Sequence, residues 1–224
     1  MFLKIYSVWL GAFSISFIFL PLYLVLGWRK KGTADGFSSV MLVTPMIIQS
    51  FWLRHGLMNN DWTHIIINAF NLTVLSFYIA VFAYYQPKRK YLIGQLIAAA
   101  LVIKLAFVYV ESHEPDQMNN AMGTVAAGAQ ILGLGGRIYE LRRAVTLGTT
   151  EYIPAVMQFA VASLMAQWLL FGLLTGNQFI AIANAAGLVT SAVTVVLYFR
   201  YPPLTWRVPL FNIPPQNQNE KKDE

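Results

Sequence analysis

Two asparagines, Asn68 and Asn184, stand 116 residues apart, each inside a long apolar stretch. Sixteen residues before each is a tryptophan, Trp52 and Trp168. An asparagine amide both donates and accepts hydrogen bonds, and an indole offers a large apolar face with a polar edge. Each asparagine lies about five or six residues inside the end of its stretch, roughly 8–9 Å deep at the helical rise. An unsatisfied amide at that depth in lipid costs several kcal/mol, so each is expected to face a cavity or a partner. Reactive groups are scarce by comparison. The chain has no cysteine and only three histidines, His55, His64 and His113. His55, Asp61 and His64 match no standard metal-ligand spacing, and no Ser–His–Asp arrangement can be argued. No glycine-rich phosphate loop is present. The expectation is a binding protein without catalytic residues, metal or cofactor, and not an enzyme.

The elements that position these residues follow from composition. Of the 224 residues, 57% are apolar and 12% charged, and the mean hydropathy is +0.53. Soluble domains have about 25% charged residues, so the chain reads as a membrane protein. A spanning helix needs about 20 mostly apolar residues. Seven candidates lie at 5–27, 41–58, 63–85, 91–110, 119–143, 153–175 and 178–199. The first ends in Trp28-Arg29-Lys30-Lys31 with no cleavage site after it, so it is read as a retained span. One set of loops holds Arg29, Lys30, Lys31, Lys88, Arg89, Lys90, Arg142, Arg143, Arg200, Arg207, Lys221 and Lys222, and the opposite set only Lys4 and Arg54. By the positive-inside rule the N-terminus is outside and the C-terminus cytosolic. The net charge of +6 is accounted for by this bias and needs no nucleic-acid partner.

A shift of 116 residues superposes one half of the sequence on the other. Gly32-Thr33 falls on Gly148-Thr149, Val40-Met41 on Val156-Met157, and Trp52-Leu53 on Trp168-Leu169. Gly56-Leu57 falls on Gly172-Leu173, Asn68-Ala69 on Asn184-Ala185, Tyr85 on Tyr201 and Pro87 on Pro203. Such matches at one fixed offset mark a duplication. Spans one to three and five to seven form the halves. Span four restores the orientation, so the repeats run parallel, which is a transporter architecture with its solute site between the repeats. The implied organisation is a first repeat at 1–90, a linker helix at 91–112, a second repeat at 113–203 and a disordered cytosolic tail at 204–224.

The pattern resembles the SWEET family of sugar transporters. The matching residues are Pro21, Thr33–Ser38, Trp52–Gly56 and Ile67–Ala69, then Thr149–Pro154, Gln167–Gly172 and Ile182–Gly187. The resemblance implies an all-α membrane fold of three, one and three helices. It implies facilitated, ion-independent diffusion of mono- or disaccharides by alternating access. It places Asn68, Asn184, Trp168 and Trp52 at the sugar, whose hydroxyls need amides and whose C–H face needs an aromatic plate. In SWEETs four prolines, two per half, act as hinges. Pro21 and Pro154 occupy two of these positions, whereas Met41 and Arg137 stand at the other two. Pro45 lies one turn beyond Met41. Arg137 is read either as an inner gate or as a structural anchor, because a charge within a span is functional by default. Homo-oligomerisation is also implied.

Proton-coupled carriers use carboxylates within the membrane, and no Asp or Glu lies in the middle of any candidate span. This favours a uniporter. The alternatives are a carrier of the same fold for another small solute, a non-transporting partner subunit of that fold, and, remotely, a seven-helix receptor. The last has no tandem three-helix repeat to explain. The terminal Lys221-Lys222-Asp223-Glu224 resembles a dilysine retrieval signal, so the plasma membrane and the Golgi or endoplasmic reticulum are both open.

Overall fold

A computed structural model describes residues 1–217. Within them the chain is helical: α1 (Phe2–Ile18), α2 (Leu22–Lys31), α3 (Val40–Met58), α4 (Trp62–Tyr85), α5 (Arg89–Glu111), α6 (Met118–Gly133), α7 (Gly135–Leu147), α8 (Ala155–Thr175) and α9 (Gln178–Arg200). The seven expected spans are present, but the first and fifth are each broken in two. At the first break the N–H groups of Phe19 and Leu20 bond only three residues back, to Ser16 and Phe17. Pro21 then has no N–H to give, which ends the regular ladder. At the second break Leu134 N bonds Ile131 O at 3.0 Å, again three residues back. Gly135 and Gly136 follow, and glycine is a poor helix former. Five stretches are long and apolar enough to cross a bilayer: Phe2–Lys31, Trp62–Tyr85, Arg89–Glu111, Ala155–Thr175 and Gln178–Arg200.

The chain divides into two compact units, Met1–Ala129 and Gln130–Glu224. In the first, α3 and α4 form a hairpin, α1 and α2 pack on α4, and α5 packs on α3. Trp28, Phe37 and Phe82 form an edge-packed cluster with ring centroids 5.1–5.9 Å apart. The Tyr78 hydroxyl donates to Ile18 O at 2.9 Å, occupying a carbonyl beside the α1–α2 break. Arg54 on α3 pairs with Glu111 on α5 at 3.0 Å. In the second unit, α8 and α9 form the hairpin and α7 packs on α9.

The duplication is legible bond by bond. The left-handed residue closing α2 is Gly32 (φ 73°), and the one closing α7 is Gly148 (φ 64°), 116 residues on. Ala34 N bonds Tyr85 O at 3.1 Å, and Thr150 N bonds Tyr201 O at 3.1 Å. Asp35 N bonds Thr33 Oγ1 at 3.1 Å, and Glu151 N bonds Thr149 Oγ1 at 3.2 Å. Asp61 caps α4, and Asn177 caps α9. Equivalent positions of the repeat have folded into matching local geometry in each unit.

The expectation of a disordered tail from residue 204 is corrected over the part described. Leu204 N and Thr205 N donate to Glu151 Oε2 at 2.6 and 3.0 Å, and the Thr205 hydroxyl also bonds Glu151. Trp206 Nε1 donates to Glu151 O at 3.0 Å. Val208 and Ile213 pair across a short bridge and are buried with Ala144, Ile153, Ala155, Leu197 and Tyr198. The Gln216 amide closes the segment, donating to Gly148 O and Pro202 O at 2.8 Å. A few apolar anchors and one carboxylate order a segment whose average composition is polar. The dilysine-like end lies outside the described residues.

Candidate functional site

Each candidate set is built on a helical hairpin with a tight turn. In the first unit, α3 and α4 approach so closely at Gly56 that an added Cβ would lie 2.9 Å from His64 Cβ. The Asp61 carboxylate caps α4 by accepting from Thr63 N at 3.0 Å and His64 N at 3.2 Å, satisfying donors with no partner within the helix. Its second oxygen meets His64 Nδ1 at 2.9 Å. Burial opposes the charged carboxyl, but the His64 side-chain bond and charge, with the two backbone bonds, outweigh it and hold Asp61 below its ordinary value.

Asn68 lies one turn past His64. It is buried, 4% exposed, and its Nδ2 donates to His64 O at 2.8 Å. Trp52 on α3 is equally buried, with its ring 5.7 Å from those of His55 and His64. The Asn59 amide reaches the His55 ring and in turn accepts from Asn119 Nδ2 at 2.7 Å.

The second unit repeats the frame with different fillings. Gly172 permits the α8–α9 approach: an added Cβ would lie 2.7 Å from Ala181 N. Asn184 is 6% exposed, and its Nδ2 donates to Ile180 O at 2.8 Å, the same bond to the same repeat position as in Asn68. That bond fixes each amide's rotamer and uses one of its two N–H groups. The second N–H and the carbonyl Oδ1 remain for another partner. Trp168 packs edge-on against Phe171 at 5.6 Å and is half-buried, where Trp52 is covered. Phe171 and Ile180 replace His55 and His64, so the second set is the more apolar.

The proline positions fall out differently from one another. Pro21 sits at the break before α2. Pro154 is extended (ψ 116°) and heads α8 rather than bending it. Met41 lies in the first turn of α3, 66% exposed, and Pro45 is the proline inside that helix. Arg137 is in the first turn of α7, with Nη1 3.5 Å from Ser191 Oγ on α9 and 3.9 Å from Met165 Sδ on α8.

Sequence reasoning missed the polar residues around the two asparagines. Ser191 is buried seven residues beyond Asn184 on the same face of α9, a spacing that could have flagged it. The Asn119–Asn59–His55 chain joins residues 60 and four apart, and no sequence signal announces it.

Comparison with known proteins gives the chain its relatives. The family model described as "Sugar efflux transporter for intercellular exchange" matches twice, over residues 5–90 and 120–205. "Sugar transporter SWEET1" of Caenorhabditis elegans is 24% identical over 89% of this chain and 66% of its own length. The protein of that name in Xenopus tropicalis is 24% identical over 77% of this chain and 82% of its own. "Bidirectional sugar transporter SWEET11" of Arabidopsis thaliana is 24% identical over 78% of this chain and 62% of its own. A solved structure of a eukaryotic SWEET transporter superposes with a TM-score of 0.77 at 19% identity, covering 90% of this chain and 99% of that one. With a double family match spanning both repeats, a shared fold and long apolar helices, the chain is a multi-pass membrane protein that belongs to the SWEET transporter family.

Proposed function

We propose that this chain carries mono- or disaccharides down their concentration gradient, without ion coupling, by alternating access. The observation that carries the reading is the equivalence of Asn68 and Asn184. Both amides are buried at matching positions, both are held by the same 2.8 Å bond to the preceding turn, and both keep hydrogen-bonding capacity. A sugar hydroxyl donates and accepts, as an amide does. Trp168, half-exposed, supplies the plate for the C–H face. Trp52 is covered by its two histidines and would act by shaping the first set. The relatives' names support sugar as the solute.

In this reading the N-terminus faces outside and the C-terminus the cytosol, and the protein works as a homo-oligomer in the plasma membrane or in the Golgi or endoplasmic reticulum. Pro21 serves as a hinge at the α1–α2 break. In the second repeat Gly135 and Gly136 take that part, since Arg137 holds the repeat position of Pro21. A non-transporting subunit of the same fold is the second reading, motivated by Met41 and Arg137 at hinge positions.

The test is uptake of radiolabelled glucose and sucrose by liposomes holding the purified protein, with no ion gradient. Asn184→Ala and Trp168→Ala should each lower uptake roughly five- to tenfold, the loss of about 1–1.4 kcal/mol of hydrogen bonding or stacking. Uptake unchanged in both variants would remove them from the site. Absence of uptake by folded protein would favour the non-transporting reading.

A further inference from the structure

Arg137 stands where the repeat places Pro21, and the residues around it have no counterpart in the other unit. Ser191 and Met165, its two neighbours, correspond to Leu75 and Gln49. A guanidinium is permanently charged and presents five donors. Here the structure gives it a serine hydroxyl at 3.5 Å and a thioether sulfur at 3.9 Å, both at the far limit of a hydrogen bond. The Ser191 hydroxyl is itself engaged, donating to Gly187 O at 3.1 Å. Among the described residues the ion pairs are Arg54–Glu111 and His64–Asp61, so Arg137 has no carboxylate within ion-pair distance, and only the charge of Glu140 acts on it at longer range. Glu140, one turn along α7, is exposed.

The direction of the side chain matters as much as its charge. Both neighbours belong to the helices that α7 shares its unit with, and Ser191 is 6% exposed. The guanidinium therefore points into the α7–α8–α9 bundle. Charged groups in membrane helices face a bundle interior or a water-filled path and mark solute routes. Along α9, Asn184, Gly187, Ser191 and Thr194 are all buried and share one face. From Asn184 to Ser191 is about 10 Å, two helical turns. Asn184 and Ser191, the residue that Arg137 reaches, thus lie on one buried face two turns apart, with the Met165 side chain packed on Gly187 between them.

We propose that Arg137 is a specificity-determining residue that holds the anionic group, a carboxylate or phosphate, of a sugar-sized solute. The inference rests on the reading of Asn184 as part of the solute path. Arginine suits the role because its planar fork meets both oxygens of such a group at once. An anionic lipid headgroup presents the same chemistry, but reaching one would require the side chain to leave Ser191.

The experiment uses full-length protein in liposomes of neutral phosphatidylcholine, with radiolabelled glucose, glucuronate and glucose 6-phosphate as probes. Wild type is compared with Arg137→Gln and Arg137→Lys, and binding of the same solutes is read in parallel by thermal shift of the purified protein. Arg137→Gln should reduce uptake or binding of at least one anionic probe tenfold or more while changing that of glucose less than twofold. Arg137→Lys should retain part of the anion preference, which also shows that the position tolerates change. Equal loss for glucose and the anions in Arg137→Gln would overturn the proposal, making the residue a gate or an anchor. So would wild-type protein that neither binds nor moves either anion. Anion binding abolished by adding phosphatidylserine to the vesicles would assign the arginine to headgroups and likewise overturn it. If glucose alone fails in the wild type, the neutral-sugar reading falls while the anion readouts still decide Arg137.

Discussion

At the scale of single residues, the repeat separates what a side chain does for the fold from what it does for the solute. Asp61 and Asn177 cap equivalent helices, and Asp61 also bonds His64, at 2.9 Å, where the second repeat has Ile180. Replacing Asp61 by Ala should cost about 1 kcal/mol, the ordinary worth of an N-cap. Its carboxyl titrates below the usual 3.8 in the folded chain. The stabilisation is therefore complete above the unfolded value and lost as pH falls through the lower folded one. Thermal melts of wild type and Asp61→Asn should converge as the pH is lowered below about 4; curves that stay separated in acid would deny the carboxylate this role. Asn68, Asn184, Trp52 and Trp168 could be singled out from sequence because duplication points to them twice. Ser191 could have been flagged by its seven-residue spacing from Asn184, but the meeting of Arg137 with Ser191 on α9 and Met165 on α8 could not, because it depends on how α7 packs within its unit.

At the scale of elements, the helical spans were legible because a bilayer demands long apolar runs, and Pro21 marked the place of the first break, but the local geometry of the breaks in the first and fifth was not legible. Both breaks need a change from four-residue to three-residue hydrogen bonding, seen at Leu20 and Leu134, which apolar periodicity does not encode. Pro154, a hinge position by resemblance, stands at the head of α8, where a proline is compatible with a regular helix start. The close hairpins make a sharper prediction. A methyl group at Gly172 would press on the backbone at Ala181 N (2.7 Å) and Asn177 O (3.1 Å), neither of which can swing aside. Gly172→Ala should cost about 1–3 kcal/mol by overpacking, read as a lower melting temperature in detergent. Gly56→Ala, whose nearest obstacle is His64 Cβ at 2.9 Å with backbone no closer than 3.4 Å, should cost less. Equal melting temperatures for all three proteins would contradict the close approach. The tail was misread because composition averages over it. Two buried side chains, Val208 and Ile213, and one receiving carboxylate, Glu151, order it.

At the scale of the whole molecule, the protein repeats one three-helix design, matched to a transporter family over residues 5–90 and 120–205. The copies share caps, glycine contacts and the asparagine hydrogen bond, and differ where histidines line one set and where Arg137 replaces the proline of the other repeat. Under the proposed alternating access the solute site would open to one side at a time, so labelled solute entering could exchange with unlabelled solute leaving. The most direct measurement is counterflow: liposomes preloaded with unlabelled glucose are diluted into trace labelled glucose, with pH and sodium equal on both sides. The account predicts a transient accumulation of label above equilibrium that collapses in Asn68→Ala/Asn184→Ala. Correctly folded wild-type protein that shows no overshoot, or an overshoot that requires a proton or sodium gradient, would contradict it.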